Sequence, residues 1–146
     1  MSTELALTVT EAFEHWCRTS KFKVCKVSDD EALLVGCGFG LLICVDRDGL
    51  AMWYLDLGSE KNEMVDVGGY LATQRKWYID ESVPLDGSPE SQRVRGLRSF
   101  AKTLNEVGQD ILAGEKAWLK LVNTRPLPLS LNHYSNLRTV ATNCAC

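Results

Sequence analysis

The chain contains no apolar run approaching the roughly 20 residues that a bilayer-crossing helix needs and no GxxxxGK[ST] phosphate loop. It has no internal repeat or low-complexity tract, and only two histidines, His15 and His133. Its first residues, MSTELALTVTEAFEHW, place no basic start ahead of an apolar stretch, which argues against a secretory signal. These absences predict a protein that stays in the cytoplasm, without a membrane association and without a P-loop nucleotide site. At 146 residues, 45% hydrophobic and 24% charged, the chain is long enough to bury one core and too apolar to be wholly disordered.

Scarce histidine limits the chemistry as well. Structural zinc usually takes two close ligand pairs, but the one close pair is Cys144 with Cys146, and His15 lies two positions from Cys17, pointing elsewhere on a helix. A cysteine nucleophile needs a neighbouring base, and Cys144 could meet His133 only if the C-terminal stretch folded back. Carboxylates are plentiful but sit side by side in turns, as in Asp29 and Asp30, the usual solvated hairpin tip. No metal, no cofactor and no catalytic residue is therefore predicted, and the chain is read as non-enzymatic.

Six cysteines would suit a disulfide framework in a secreted domain, yet Cys17, Cys25, Cys37 and Cys44 lie among apolar residues. They are read as buried free thiols. The terminal pair in TNCAC resembles the prenylated tail of small vesicle-traffic GTPases, but no GTPase precedes it. It is left as an exposed pair of thiols on a dispensable tail.

Charge is unevenly spread. The net charge is −3, but from Asp29 to Asp66 nine acids face two bases, a local balance of −7 that leaves +4 for the remainder. Such an acidic middle disfavours nucleic acid and favours a basic partner.

Periodicity orders the elements. Leu5, Val9, Ala12, Phe13, Trp16 and Cys17 recur at spacings of three and four, the mark of an amphipathic helix ending near Ser20. From Lys21 the period becomes two, in KFKVCKVS, ALLVGCGFG, LLICVDR and AMWYLDLG, with SDDE and DRDG as hairpin turns. NEMVDVGG and RKWYID are candidates for two further strands. GCGFG has the look of a phosphate loop, but a strand follows it where a helix N-terminus would be needed, so a glycine-relieved strand end is expected. PLDGSPESQ reads as a loop, and Ser88, Pro89 and Glu90 as a helix start. Val94, Leu97, Ala101, Leu104, Ile111 and Leu112 mark that helix's buried face, and Gly114 its stop. Opposite that face, Arg95, Arg98 and Lys102 form a basic stripe, read as solvated.

The prediction is an α+β fold, an antiparallel sheet of about four to six strands with an N-terminal and a C-terminal helix packed on one face. Residues 1–122 are assigned to a single domain and 123–146 to an extended, partly ordered tail.

In AMWYLDLG, Trp53, Leu55 and Leu57 are expected inward, leaving Tyr54 and Asp56 on the outer face; by the same alternation Tyr78 and Asp80 stand outside Trp77. Tyrosines among carboxylates suit a protein-binding surface. Its expected members are Asp29, Asp30, Glu31, Asp46 and Asp48 around the two turns. Tyr54, Asp56, Glu60, Glu63 and Asp66 follow along the acidic segment, with Tyr78 and Asp80 beyond it.

The leading helix, the acidic strand-rich middle with AMWYLDLG, and the closing DILAGEKAWL together resemble the small cytoplasmic immunity proteins of bacterial contact-dependent or type VI toxin systems. The resemblance covers residues 1 to about 122 and is one of style. It implies a monomer or weak homodimer that binds a cognate toxin or effector and blocks it without chemistry of its own. A type III secretion chaperone, small, acidic and dimeric, is the alternative, although such chaperones carry a helix between their strands and none is expected between Lys21 and Pro84.

Overall fold

A computed structural model describes residues 5–18, 22–36, 38–46, 49–58 and 61–144, with Asp46 and Cys144 described in their backbone alone. The leading amphipathic stretch forms α1 (Leu5–Ala12) and α2 (Glu14–Arg18), separated at Phe13. The amide of Phe13 still donates to the Val9 carbonyl (2.9 Å). Four strands follow: β1 (Lys23–Ser28), β2 (Glu31–Val35), β3 (Phe39–Asp46) and β4 (Gly49–Asp56). Later come β5 (Glu63–Asp66) and the two-residue β6 (Leu127–Pro128). Among the described residues these make one six-stranded antiparallel sheet in sequence order, as consecutive hairpins demand.

The expected α+β fold with an antiparallel sheet is what the chain forms. The two predicted helices lie on one face: Leu5, Val9 and Phe13 meet Leu97, Phe100 and Leu104 of α4 (Pro89–Val107). That helix starts as its sequence demands. Ser88 is extended, its hydroxyl accepts from the Ser91 amide (3.1 Å), and Pro89 occupies the first turn. It ends at Val107, is followed by α5 (Gln109–Leu112), and turns away at Gly114, where φ is +83°. Successive strand residues divide between faces: Leu34, Leu41, Ile43 and Tyr54 join this first core.

Leu33, Leu42 and Leu55 point to the opposite face, which is also covered. The stretch expected as an extended tail forms α6 (Leu131–Cys144). Tyr134, Leu137 and Ala141, at spacings of three and four, bury one side of α6 against that face. The prolines confine themselves to the connection ahead of the helix, where Leu127 and Pro128 pair with β5.

Three further expectations change. NEMVDVGG is a strand only to Asp66, because Asp66 caps α3 (Val67–Gln74), a helix between Lys21 and Pro84 where none was expected, by accepting from the Gly69 amide (2.8 Å). RKWYID is not a strand: the amides of Tyr78 and Asp80 donate to the hydroxyls of Thr103 (2.8 Å) and Ser99 (2.9 Å) on α4 in place of a neighbouring strand. Cys25, read as a free thiol, is disulfide-bonded; Cys17 and Cys44 are in no disulfide, and both are half-buried where burial was expected. GCGFG joins β2 to β3, and Gly36 is needed because a Cβ there would stand 2.6 Å from the Phe39 ring and 2.7 Å from Phe22. No helix of the described residues is long and apolar enough to cross a membrane.

Candidate protein-binding surface

The tip of the β1–β2 hairpin is built by polar side chains bonding their own turn. The Asp30 amide donates to Ser28 Oγ (3.3 Å), and Ser28 Oγ donates to Glu31 Oε1 (3.2 Å). The Val45 amide donates to the Asp30 carbonyl (2.8 Å), which fastens this tip to the end of β3. Asp46 pairs with Gly49 to open the next hairpin. Asp29, Asp30, Glu31 and the backbone of Asp46 thus gather at one end of the sheet. Lys26 Nζ lies 3.3 Å from Asp29 Oδ1, but Asp29 is 94% exposed, so this pair contributes under about 1 kcal/mol and leaves the tip's charge directed outward. Glu31 lies lower: its Oε2 is 3.9 Å from Nε2 of His133 on α6. Asp48 and Glu60 lie outside the described residues, as does the side chain of Asp46.

The remaining expected members are elsewhere. Gly49 and Asp56 bracket β4; seven residues at about 3.3 Å each separate its ends by about 23 Å. Asp56 is paired with Lys116, whose ammonium also lies 3.5 Å from the Gly38 carbonyl. Glu63 stands at that far end too, on β5. Asp66 is occupied as the cap of α3. Tyr78 and Asp80 lie in the segment packed along α4. Lys76 Nζ is 5.1 Å from the Tyr78 ring centre, and hydrogen bonds from Ser82 depress the Asp80 pKa, helped by the charges of Arg98 and Lys102. Arg98 and Lys102 of the basic stripe therefore lie near this segment; Lys102 also donates to the Ile79 carbonyl (3.4 Å).

Tyr54 is a correction. It is 1% exposed, stacked on Phe39 at 5.5 Å and met edge-on by Trp118 at 4.9 Å. Both faces of β4 are covered here, so the WY alternation carried no information about which member meets water. Burial, reinforced by the Asp56 charge, pushes the Tyr54 phenol well above the ordinary tyrosine range.

Two cavities had no signal in the sequence. A cleft of about 940 Å³ runs beside the start of β4, between α3 and the first turns of α4, with Trp53, Trp77 and Arg93 in its walls. A smaller cavity of about 320 Å³ lies at the far end of β4 and is walled by Tyr54, Asp56, Glu63, Leu119 and Lys120 among others. Among the described residues no three histidine, cysteine or carboxylate side chains converge to hold a metal.

The molecule is an α+β protein whose meandering antiparallel sheet is covered on both faces. No protein-family model matches the chain, no curated protein matches it, and no solved structure matches it.

Proposed function

We propose that the protein is a non-enzymatic binding protein that neutralises a cognate toxin domain in the cytoplasm of a bacterium. Its contact would be the acidic end of the sheet, Asp29, Asp30 and Glu31, together with the expected members Asp46 and Asp48. The observation that supports this most directly is the fastening of the β1–β2 tip to β3 by the Val45 amide and the Asp30 carbonyl. It holds exposed carboxylates on a rigid sheet rather than on a loose loop, so a basic partner meets a preorganised acidic surface. Complementary charge of this kind speeds encounter and selects the partner more than it deepens affinity. Asp56, Glu63 and Asp66 leave the proposed contact, because their positions lie far from the tip or are engaged in pairing and capping.

The test is the complex with the toxin domain encoded beside this gene. Asp29→Lys with Asp30→Lys is expected to slow association, with a deficit that shrinks as salt rises. Asp56→Lys serves as the comparison at the opposite end. Equal affinity and equal association rate for the tip variant and the native chain would overturn the reading.

A further inference from the structure

The cleft beside the start of β4 carries an inference beyond the acidic tip. Backbone alternation fixes which way its strand edge points. The Val45 amide donates to Asp30, toward β2, so Cys44 and Asp46 on either side of it turn their amides and carbonyls toward β4. Their register partners Ala51 and Gly49 face β3 in return, and Leu50, between them, points its amide and carbonyl the other way. Tyr54 follows the same alternation and meets Val65 of β5, but that pairing ends at Trp53 with Asp66, where the chain enters α3. Leu50 is thus left beyond the end of β5, and its amide and carbonyl have no hydrogen-bond partner among the described residues.

Open strand edges are usually blunted by charge, proline or a bulge. Gly49, Leu50, Ala51 and Met52 carry neither charge nor proline and keep unbroken register with β3. The space beside them is empty of protein: the cleft of about 940 Å³ is lined by Leu50 and Met52 from one face of the strand and by Ala51 and Trp53 from the other. A space that reaches alternate residues of both faces lies along the edge. Across it stand Gly68, Gly69 and Ala72 of α3, whose lack of bulk keeps the cleft open.

Two charged residues line it, Asp66 and Arg93. Asp66 is engaged as the cap of α3. Arg93, half-buried on the first turns of α4, has no ion pair and no hydrogen bond from its guanidinium among the described residues. A cation held there without a counter-charge favours an incoming carboxylate.

We propose that an extended peptide segment of a partner protein, apolar with one carboxylate, adds as a strand to the β4 edge, its backbone paired with Leu50 and its carboxylate at Arg93. The segment takes the sheet position that β5 vacates when it turns into α3. Main-chain hydrogen bonds then supply the attachment, and the side chains that enter the cleft supply the selection. The pairing does not depend on a toxin contact at the acidic tip, and isolated peptides test it without one.

The probes are fluorescein-labelled hexapeptide amides of the form Thr-X-Thr-Glu-Thr-X, with leucine, valine or phenylalanine at both X positions, so that the X residues and the glutamate share one face. Titrated into the intact protein and read by fluorescence anisotropy, at least one is expected to saturate below about 1 mM. It should bind about tenfold or more tighter than its counterpart with lysine in place of the glutamate. Two further versions are methylated on the backbone nitrogens of one alternate set of residues or of the other. A strand turns alternate amides to opposite edges, so one version should bind and the other should not. Saturation is also expected to slow hydrogen exchange of the Leu50 amide. Arg93→Glu, checked for folding by its thermal transition, should reverse the preference between glutamate and lysine peptides. Should that variant fail to fold, Ala72→Phe, at an exposed position in the cleft wall, supplies the second readout, with binding of every peptide lost. No saturable binding by any probe, equal binding by the two methylated versions, unchanged exchange at Leu50, or an unchanged charge preference in a folded Arg93→Glu protein would overturn the pairing.

Discussion

The guanidinium of Arg75, just past the end of α3, grips the carboxylate of Asp110 on α5 with two parallel hydrogen bonds, at 2.6 and 2.7 Å. Arg75 also donates to the Val107 carbonyl (2.5 Å) and to Tyr70 Oη (3.0 Å). One side chain thereby joins the helix that follows the sheet to the end of α4. A planar fork is what such a junction requires, because a lysine ammonium, a point charge, cannot hold the carboxylate in a plane with two parallel bonds.

Removing the charge of Asp110 should therefore be felt in global stability. Asp110→Asn leaves a partly buried guanidinium with a neutral partner, and a loss of about 1.5–3 kcal/mol is expected in urea unfolding. The hydrogen bonds from Arg75 hold the Asp110 pKa below its ordinary value. With the folded pKa depressed, the contribution is complete above the unfolded value of about 3.9 and is lost as pH falls through the folded pKa. The native chain should lose stability on acidification below about pH 4 more steeply than the asparagine variant.

Alkali should act through Tyr54. The folded pKa lies above the unfolded one, chiefly through burial. Folded Tyr54 stays neutral while the unfolded chain begins to ionise it at about pH 10. Its contribution is thus full below that pH and declines as pH rises toward the folded pKa. Tyr54 should show phenolate absorbance only together with loss of the near-ultraviolet dichroism of the folded state. Phenolate formation at Tyr54 ahead of unfolding would contradict its placement, and Tyr54→Phe identifies its share of the signal.

What the sequence disclosed depended on whether a single local rule decided the outcome. Ser88, Pro89 and Glu90 satisfy capping, ring geometry and dipole together, so α4 begins where they stand. The turns at Asp29–Asp30 and after Asp46 were equally legible, because strands joined by so few residues must pair as neighbours. Face assignment failed at Tyr54 because a sheet with two covered faces makes both members of each pair half apolar. Helix α6 failed for a different reason. Its buried side rests on Tyr134, Leu137 and Ala141, a stripe discernible at helical spacing but diluted by polar neighbours and shadowed by the prolines before it. The acidic segment was visible as composition, yet composition does not say that Asp29 and Asp56 lie at opposite ends of the sheet. The cavity at Tyr54 arises where strands meet the Ala117–Leu121 turn of helix, a juxtaposition no local rule specifies.

Cys25 makes its own prediction. It is 3% exposed within the core beneath α6 and is disulfide-bonded. Disulfides stabilise chiefly by restricting the unfolded chain, typically by about 2–4 kcal/mol. A dithiol reductant should lower the unfolding midpoint of the native protein by a corresponding amount and leave Cys25→Ala unaffected. The two proteins should coincide once reduced, apart from the small packing change. Identical midpoints for the native chain with and without reductant would show that the bond adds nothing to stability.

The strongest single test of the second core is Leu137. It is wholly buried, at the centre of the α6 stripe, against a sheet face carrying Leu33, Leu42 and Leu55. Leu137→Ala removes three carbons, Cγ and its two methyl groups, from that contact, and because the sheet behind it is rigid, a cavity remains in addition to the lost transfer energy. A destabilisation of about 2–5 kcal/mol is expected in denaturant unfolding. Exposed Leu131, at 74%, lies on the same helix, and Leu131→Ala is expected to change stability by less than about 0.5 kcal/mol. The contrast separates a docked helix from a loosely associated one. Were α6 merely resting on the surface, both substitutions would be small, and hydrogen exchange of the Tyr134–Ala141 amides would be fast. A docked α6 instead slows exchange across those residues to the rate set by global unfolding, and Leu137→Ala should release it selectively while β2 and β3 remain protected.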